Sequence, residues 1–137
     1  MPTIRQSLVA NLTRLYPFYS GCGSFVNKPF IQKLAGISSD CAWSHVSGGE
    51  VLAPLNDYIG RAAFYVGDLD RKITWVCGQI VRPGDTVLDI GANIGMVTLW
   101  LSELVGKSGK VHAFEPNPEL LKLIEETLNH NQVSNVC

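Results

Sequence analysis

The chain predicts an α/β fold with a doubly wound, largely parallel sheet, and three observations carry that expectation. From residue 70 onward, short β-branched, apolar runs alternate with amphipathic helical patterns, the strand–helix–strand grammar of such sheets. A glycine-bearing loop, Gly91-Ala92-Asn93-Ile94-Gly95, joins the first run to its helix. An acidic residue, Glu115, closes the second run. Residues 1–55 read differently, as an α+β extension of helix, loop and hairpin ahead of the α/β unit of residues 56–137.

The elements follow in order. Ile4, Leu8, Leu12 and Leu15 recur at helical spacing over residues 2–16, and Pro17 stops the pattern. A loop with Gly21 and Gly23 precedes a short helix over residues 29–35, closed by Gly36. Residues 41–55 read as two short strands flanking Ser47-Gly48-Gly49, a hairpin turn. Residues 57–67 fit either a helix or a strand. Ile73, Val76, Cys77 and Ile80 then form one apolar helical face, which Arg82-Pro83-Gly84-Asp85 ends. Residues 86–90 are a short apolar run of the kind buried inside a parallel sheet. A helix over about 93–105 stops at Gly106. Residues 111–115 form the second strand, with His112 as a packing residue. Asn117 and Pro118 cap and open a helix carrying Leu120, Leu121, Ile124 and Leu128. Asn135-Val136-Cys137 is the approach to a third strand. Trp43, Trp75 and Trp100 are expected in the core or at an interface.

Composition narrows the function classes. Among 137 residues, 46% are hydrophobic and 17% charged, which excludes disorder for most of the chain. Eleven basic against 12 acidic side chains give a net charge of −1, so a strongly basic nucleic-acid or membrane-surface module is not expected. No apolar run is long enough to span a bilayer, and polar residues interrupt any signal-peptide core. Cys22, Cys41, Cys77 and Cys137 are widely spaced, as are His45, His112 and His130, so no metal site is expected. Reduced, inert thiols in a cytoplasmic protein follow.

The glycine loop carries the chemistry. In open α/β sheets, ligands bind beyond the carboxyl ends of the strands, where this loop lies. Gly91 allows a sharp turn and close approach of backbone to ligand. Gly95 allows close packing of the next helix, whose N-terminus suits a ligand's carboxylate. Asn93 either caps that helix or touches the ligand. Glu115, 24 positions after Gly91, can accept hydrogen bonds from both hydroxyls of an adenosine ribose. A dinucleotide fingerprint needs glycines at the third and sixth positions from Gly91, where Asn93 and Met96 stand. A cofactor with ribose but no pyrophosphate demands less backbone clearance. S-adenosylmethionine is such a cofactor, and Asp89 is placed for its amino group.

Asp57-Tyr58-Ile59-Gly60-Arg61, the stretch from Arg82 to Gly95, and Ala113-Phe114-Glu115-Pro116-Asn117-Pro118 resemble the FkbM family of S-adenosylmethionine-dependent methyltransferases. The resemblance covers about residues 57–137. One departure is Gly67-Asp68-Leu69-Asp70, where members often carry Gly-x-Tyr-Glu; if that Glu helps shape the substrate side, Asp70 is its shortened stand-in. The resemblance implies the Rossmann-like sheet of a class I methyltransferase, incomplete at its C-terminus. It also implies cofactor contacts at Asp89, Gly91, Ala92, Asn93, Gly95, Glu115 and Pro116. The implied reaction is O-methylation of a sugar, polyketide or other specialised metabolite, a small-molecule or glycan acceptor with no nucleic-acid or membrane partner. No general base can be named, since such groups generally come from later strands.

Two alternatives stand beside this reading: a nucleotide-binding oxidoreductase using the same βαβ unit, and a non-catalytic fragment. From Thr86 there is room for two βα units and the start of a third. The first strand's far edge would then be unpaired and apolar, and the isolated chain poorly soluble or partly ordered.

Overall fold

The computed structural model describes residues 2–36 and 38–137. Helix α1 (Ile4–Thr13) opens with a capping box in which the Thr3 side chain and Gln6 satisfy each other's backbone N–H groups. It ends at Thr13, short of Pro17, where bonds from Leu15 N to Leu12 O and Tyr16 N to Thr13 O tighten the chain, and the Arg14 guanidinium donates to the His45 and Phe64 carbonyls and Ser44 Oγ. The orientation of α1 is unexpected. Gln6, Ala10 and Thr13 face inward, while Ile4, Leu8, Leu12 and Leu15 stand exposed. Directed polar contacts set this facing: the Thr13 hydroxyl donates to Tyr65 O at 2.6 Å, deep inside the chain.

The expected loop around Gly21 holds a one-turn helix, α2 (Cys22–Val26), followed by α3 (Pro29–Ala35). The predicted hairpin is present as β1 (Cys41–Val46) and β2 (Gly49–Pro54), antiparallel, with Val46 opposite Gly49. The ambiguous stretch is helical: α4 (Tyr58–Val66) is capped by Asp57 and closed by Gly67. Asp70 caps α5 (Arg71–Ile80), whose Ile73, Val76 and Ile80 are exposed rather than packed.

Strands β3 (Thr86–Ile90) and β4 (Lys110–Phe114) pair in parallel, Asp89 opposite Ala113, with α6 (Met96–Val105) as the crossover. After α7 (Pro118–His130), Val136 bridges Val111 in parallel, and backbone bonds from Val111 N to Asn135 O and from Cys137 N to Val111 O begin a third strand. The expectation that residues 86–90 are buried on both sides fails. Val87 and Val111 pack on α6, but Leu88 and Ile90 are 61% and 81% exposed, because the described helices cover one face of the sheet. No strand pairs with the far edge of β3 among the described residues.

The main core joins the hairpin and α4 to the glycine loop: Val51, Ala53, Ala62 and Ala63 share a cluster with Ile94 and Met96. Asn131 at the end of α7 bonds both the N–H and the C=O of Glu50, and Leu52 N donates to Thr127 Oγ1. Trp100 donates to Thr74 O, whereas Trp75 is exposed and so is Trp43, which stacks on His130 at 4.0 Å.

Candidate cofactor site

The predicted site residues gather at the carboxyl ends of the two parallel strands. Helix α6 starts at Met96, three residues later than expected, because residues 91–94 turn under the end of β4. Gly91 N and Ala92 N both donate to Phe114 O, at 2.8 and 3.0 Å. Gly91 sits at φ 86° and Asn93 at φ 53°, left-handed conformations that glycine and asparagine tolerate best. A Cβ on Gly91 would meet nothing within 4 Å, so this turn faces open space. Gly95 serves a different neighbour from the one expected: a Cβ there would come within 3.2 Å of Ile124, so it admits α7 rather than the strand.

Glu115 lies one residue past β4 and ties the two loops together. Its Oε2 accepts from Asn93 N and its Oε1 from Asn117 N, each at 2.9 Å. Each carboxylate oxygen has two lone pairs, so both keep one for a ribose hydroxyl. Asn93 therefore contributes its backbone to the acid, and its Oδ1 accepts from Ile94 N rather than capping α6. That cap is Gly95, and no side chain bonds the first turn of α6.

Asp89 is anchored by a residue the sequence reading missed. Thr98, fully buried on α6, donates its hydroxyl to Asp89 Oδ2 at 2.6 Å, leaving Oδ1 available for an ammonium group. The only sequence signal was one polar residue inside the apolar run Met96 to Leu101.

Two clefts flank this constellation. One of about 260 Å³ is lined by Asp89, Gly91, Ala92 and Asn93, closed by Ile59, Leu69 and Ile73. The other, of about 440 Å³, is lined by Phe114, Glu115, Pro116 and Leu121. Six of the seven predicted residues line these clefts, and Gly95 lines neither. Burial, with the nearby Asp89 carboxylate second, pushes the Cys77 thiol up, and burial also raises Cys22 and Cys41. These thiols are therefore neutral at physiological pH. Among the described residues no cluster of metal-ligating side chains is present, and no helix is long and apolar enough to cross a membrane.

The donor set suits S-adenosylmethionine: an acid with two free lone pairs for the ribose, a second acid with a free oxygen for the ammonium, and an uncapped helix start for the carboxylate. The family model for protein-L-isoaspartate(D-aspartate) O-methyltransferase matches residues 71–137. The protein-L-isoaspartate O-methyltransferase of Methanococcus maripaludis is 27% identical over 129 residues, covering 83% of this chain and 56% of its own. The 31-O-demethyl-FK506 methyltransferase FkbM of Streptomyces tacrolimicus is 54% identical over 41 residues, 30% of this chain and 15% of its own. The tRNA (adenine(57)-N(1)/adenine(58)-N(1))-methyltransferase TrmI of Methanocaldococcus jannaschii is 40% identical over 48 residues, 35% of this chain and 17% of its own. A solved SAM-dependent methyltransferase from Aquifex aeolicus aligns over 48% of this chain and 34% of its own, with a TM-score of 0.42 and 33% identity. The chain thus spans between 15% and 56% of the length of these three curated relatives. Their named acceptors differ while methyl transfer is common to all of these names, and the chain itself carries a Rossmann-like α/β fold built on the parallel pair β3–β4 with α6 as crossover.

Proposed function

We propose that the seven residues Asp89, Gly91, Ala92, Asn93, Gly95, Glu115 and Pro116 bind S-adenosylmethionine, in service of methyl transfer to an oxygen acceptor. The observation that carries this reading is the pair of acids on adjacent strand ends, each fixed by donors that leave lone pairs free. When bound, the cofactor supplies an electrophilic sulfonium methyl. The contribution of this chain is positional: Glu115 holds the ribose end, Asp89 the amino-acid end, and the two together set the direction the methyl faces. The oxidoreductase alternative lacks support, since the glycine spacing leaves Asn93 and Met96 where a pyrophosphate would need clearance.

For the acceptor, the family match over residues 71–137 supports a carboxylate oxygen of an isoaspartyl residue in a protein. The 54% identity over 41 residues with an FkbM enzyme supports a second reading, a hydroxyl oxygen of a specialised metabolite. Calorimetry of the 137-residue chain with S-adenosylhomocysteine should show binding that Glu115→Ala weakens by about 1.5–3 kcal/mol. NADH should give no comparable heat. Unchanged affinity in Glu115→Ala would sink the ribose role. Transfer of tritiated methyl to an isoaspartyl peptide, measured against a polyketide alcohol, then separates the two acceptor readings.

A further inference from the structure

Helix α4 separates two cavities. Ile59 lines the cofactor cleft, whereas Arg61 and Tyr65, on the opposite side of the same helix, line a smaller cavity of about 110 Å³. Its walls include Val26, Ile31, Ala35 and Leu55, so it is apolar apart from a few polar groups. Tyr65 is 2% exposed, yet its hydroxyl meets no hydrogen-bond partner among the described residues. Tyr65 is one of the residues that line the cavity. A buried phenol normally finds a partner.

Arg61 is the second unmatched group. Its Nε donates to Asn27 Oδ1 at 2.6 Å and its Nη1 to Leu55 O at 3.2 Å, both neutral acceptors. The neighbouring acid, Asp57, is engaged at the start of α4, where it accepts from Ile59 N and Gly60 N. Among the described residues no carboxylate pairs with Arg61. The guanidinium is nevertheless well oriented. Asn27 is held by its own bonds to Gly23 O and Tyr58 O, and Gln32 donates to Asn27 O.

A half-buried cation without a counter-charge and a buried phenol with an unused donor face the same apolar space. Burial raises the Tyr65 hydroxyl, with Arg61 opposing, so it keeps its proton near neutrality and can donate. Two donors, one of them charged, call for an acceptor anion, and apolar walls call for an alkyl tail. A cavity that admits benzene measures about 150 Å³, so this one fits roughly four to six heavy atoms. Inorganic phosphate would leave the walls unmatched. We propose that the cavity bounded by α2, α3 and α4 binds a short-chain aliphatic carboxylate, held by the Arg61 guanidinium and the Tyr65 hydroxyl. This site is independent of the cofactor reading.

The test is titration of the 137-residue chain with butyrate, butan-1-ol and butylammonium, followed by amide NMR. Butyrate should give saturable shifts at α2, α3 and α4, with butan-1-ol about tenfold weaker for want of the charge-assisted bond and butylammonium silent. Arg61→Gln should abolish butyrate binding. Tyr65→Phe, which keeps the ring, should weaken it by about three- to tenfold, the loss of one hydrogen bond, while S-adenosylhomocysteine binding stays unchanged. Equal binding of butan-1-ol and butyrate overturns the proposal, as do wild-type butyrate affinity in Tyr65→Phe and the absence of saturation by about 50 mM.

Discussion

On one face of the β3–β4 sheet, Val87 and Val111 meet Leu101 and Val105 of α6. On the other, Leu88 and Ile90 stand open beside His112 and Phe114 on the neighbouring strand. Both rows come from the same two short strands, and each carries large apolar side chains. The difference teaches that a strand's hydrophobicity states how many faces suit burial, while the packed helices decide which face is buried. It also locates the chemistry. Asp89 belongs to the covered row, where Thr98 can reach it from α6, so the acid proposed to hold the cofactor is fixed by the same packing that stabilises the sheet.

The largest expected contrast is in stability. Leu101, 6% exposed, lies in the covered cluster, so Leu101→Ala should cost about 2–5 kcal/mol in urea unfolding. That is a large part of the about 5–15 kcal/mol typical of a domain. Leu88→Ala on the open face should cost under about 0.5 kcal/mol. Similar losses from both would show that the open face is covered in solution. Next comes the link between packing and site. Thr98→Val keeps the shape but removes the donor to Asp89, which should cost about 1.5–3 kcal/mol of stability and weaken S-adenosylhomocysteine binding. Thr98→Ser, which retains the hydroxyl, should recover most of the affinity; failure of that rescue would assign Thr98 to packing alone.

The α/β unit was legible because its signals are local. The glycine loop, the acid ending β4 and the Asn117-Pro118 helix start each lie within a few consecutive residues, and all three fall where the sequence puts them. The facing of α1 was not legible. Its apolar spacing names a helix correctly, but Thr13 reaches Tyr65, 52 positions away, and that contact turns the leucines outward. Thr98 was invisible for the same reason, since its partner depends on how α6 lies on β3. Arg61 gives no local signal of its setting, because Asn27, which orients it, lies 34 positions away and is brought to it by α2. Helix α2 is five residues long, too short for periodicity to register.

A smaller effect concerns association rather than folding. Ile90, 81% exposed, sits on a strand with an unpaired edge, so the chain should self-associate as concentration rises in sedimentation velocity. Ile90→Lys should suppress that association while changing unfolding by under about 0.5 kcal/mol. Association unaltered by the lysine would point to α1, whose exposed Ile4, Leu8, Leu12 and Leu15 form the other long apolar stripe.

The smallest effect is alkaline, and it sharpens the covered side. Cys77 packs against the Leu101–Val105 cluster, and burial followed by the Asp89 charge raises its thiol above the ordinary value of 9.0. Below that value both folded and unfolded chains keep the proton, so stability does not respond to this group. Above it the unfolded chain ionises first, which favours unfolding, and the loss continues as pH climbs toward the raised folded-state value. Cys22 and Cys41 shift in the same direction from the same ordinary value, so the whole chain should lose stability between about pH 8 and pH 10, and Tyr65, raised from 10.0, adds to the loss above that. Cys77→Val, close in volume and without an ionisable proton, should remove only the share that belongs to the covered face. Urea midpoints at the two pH values measure that share. An alkaline loss of the same size in Cys77→Val would mean that solvent reaches the thiol, and with it the seam between α5 and α6 that backs Asp89.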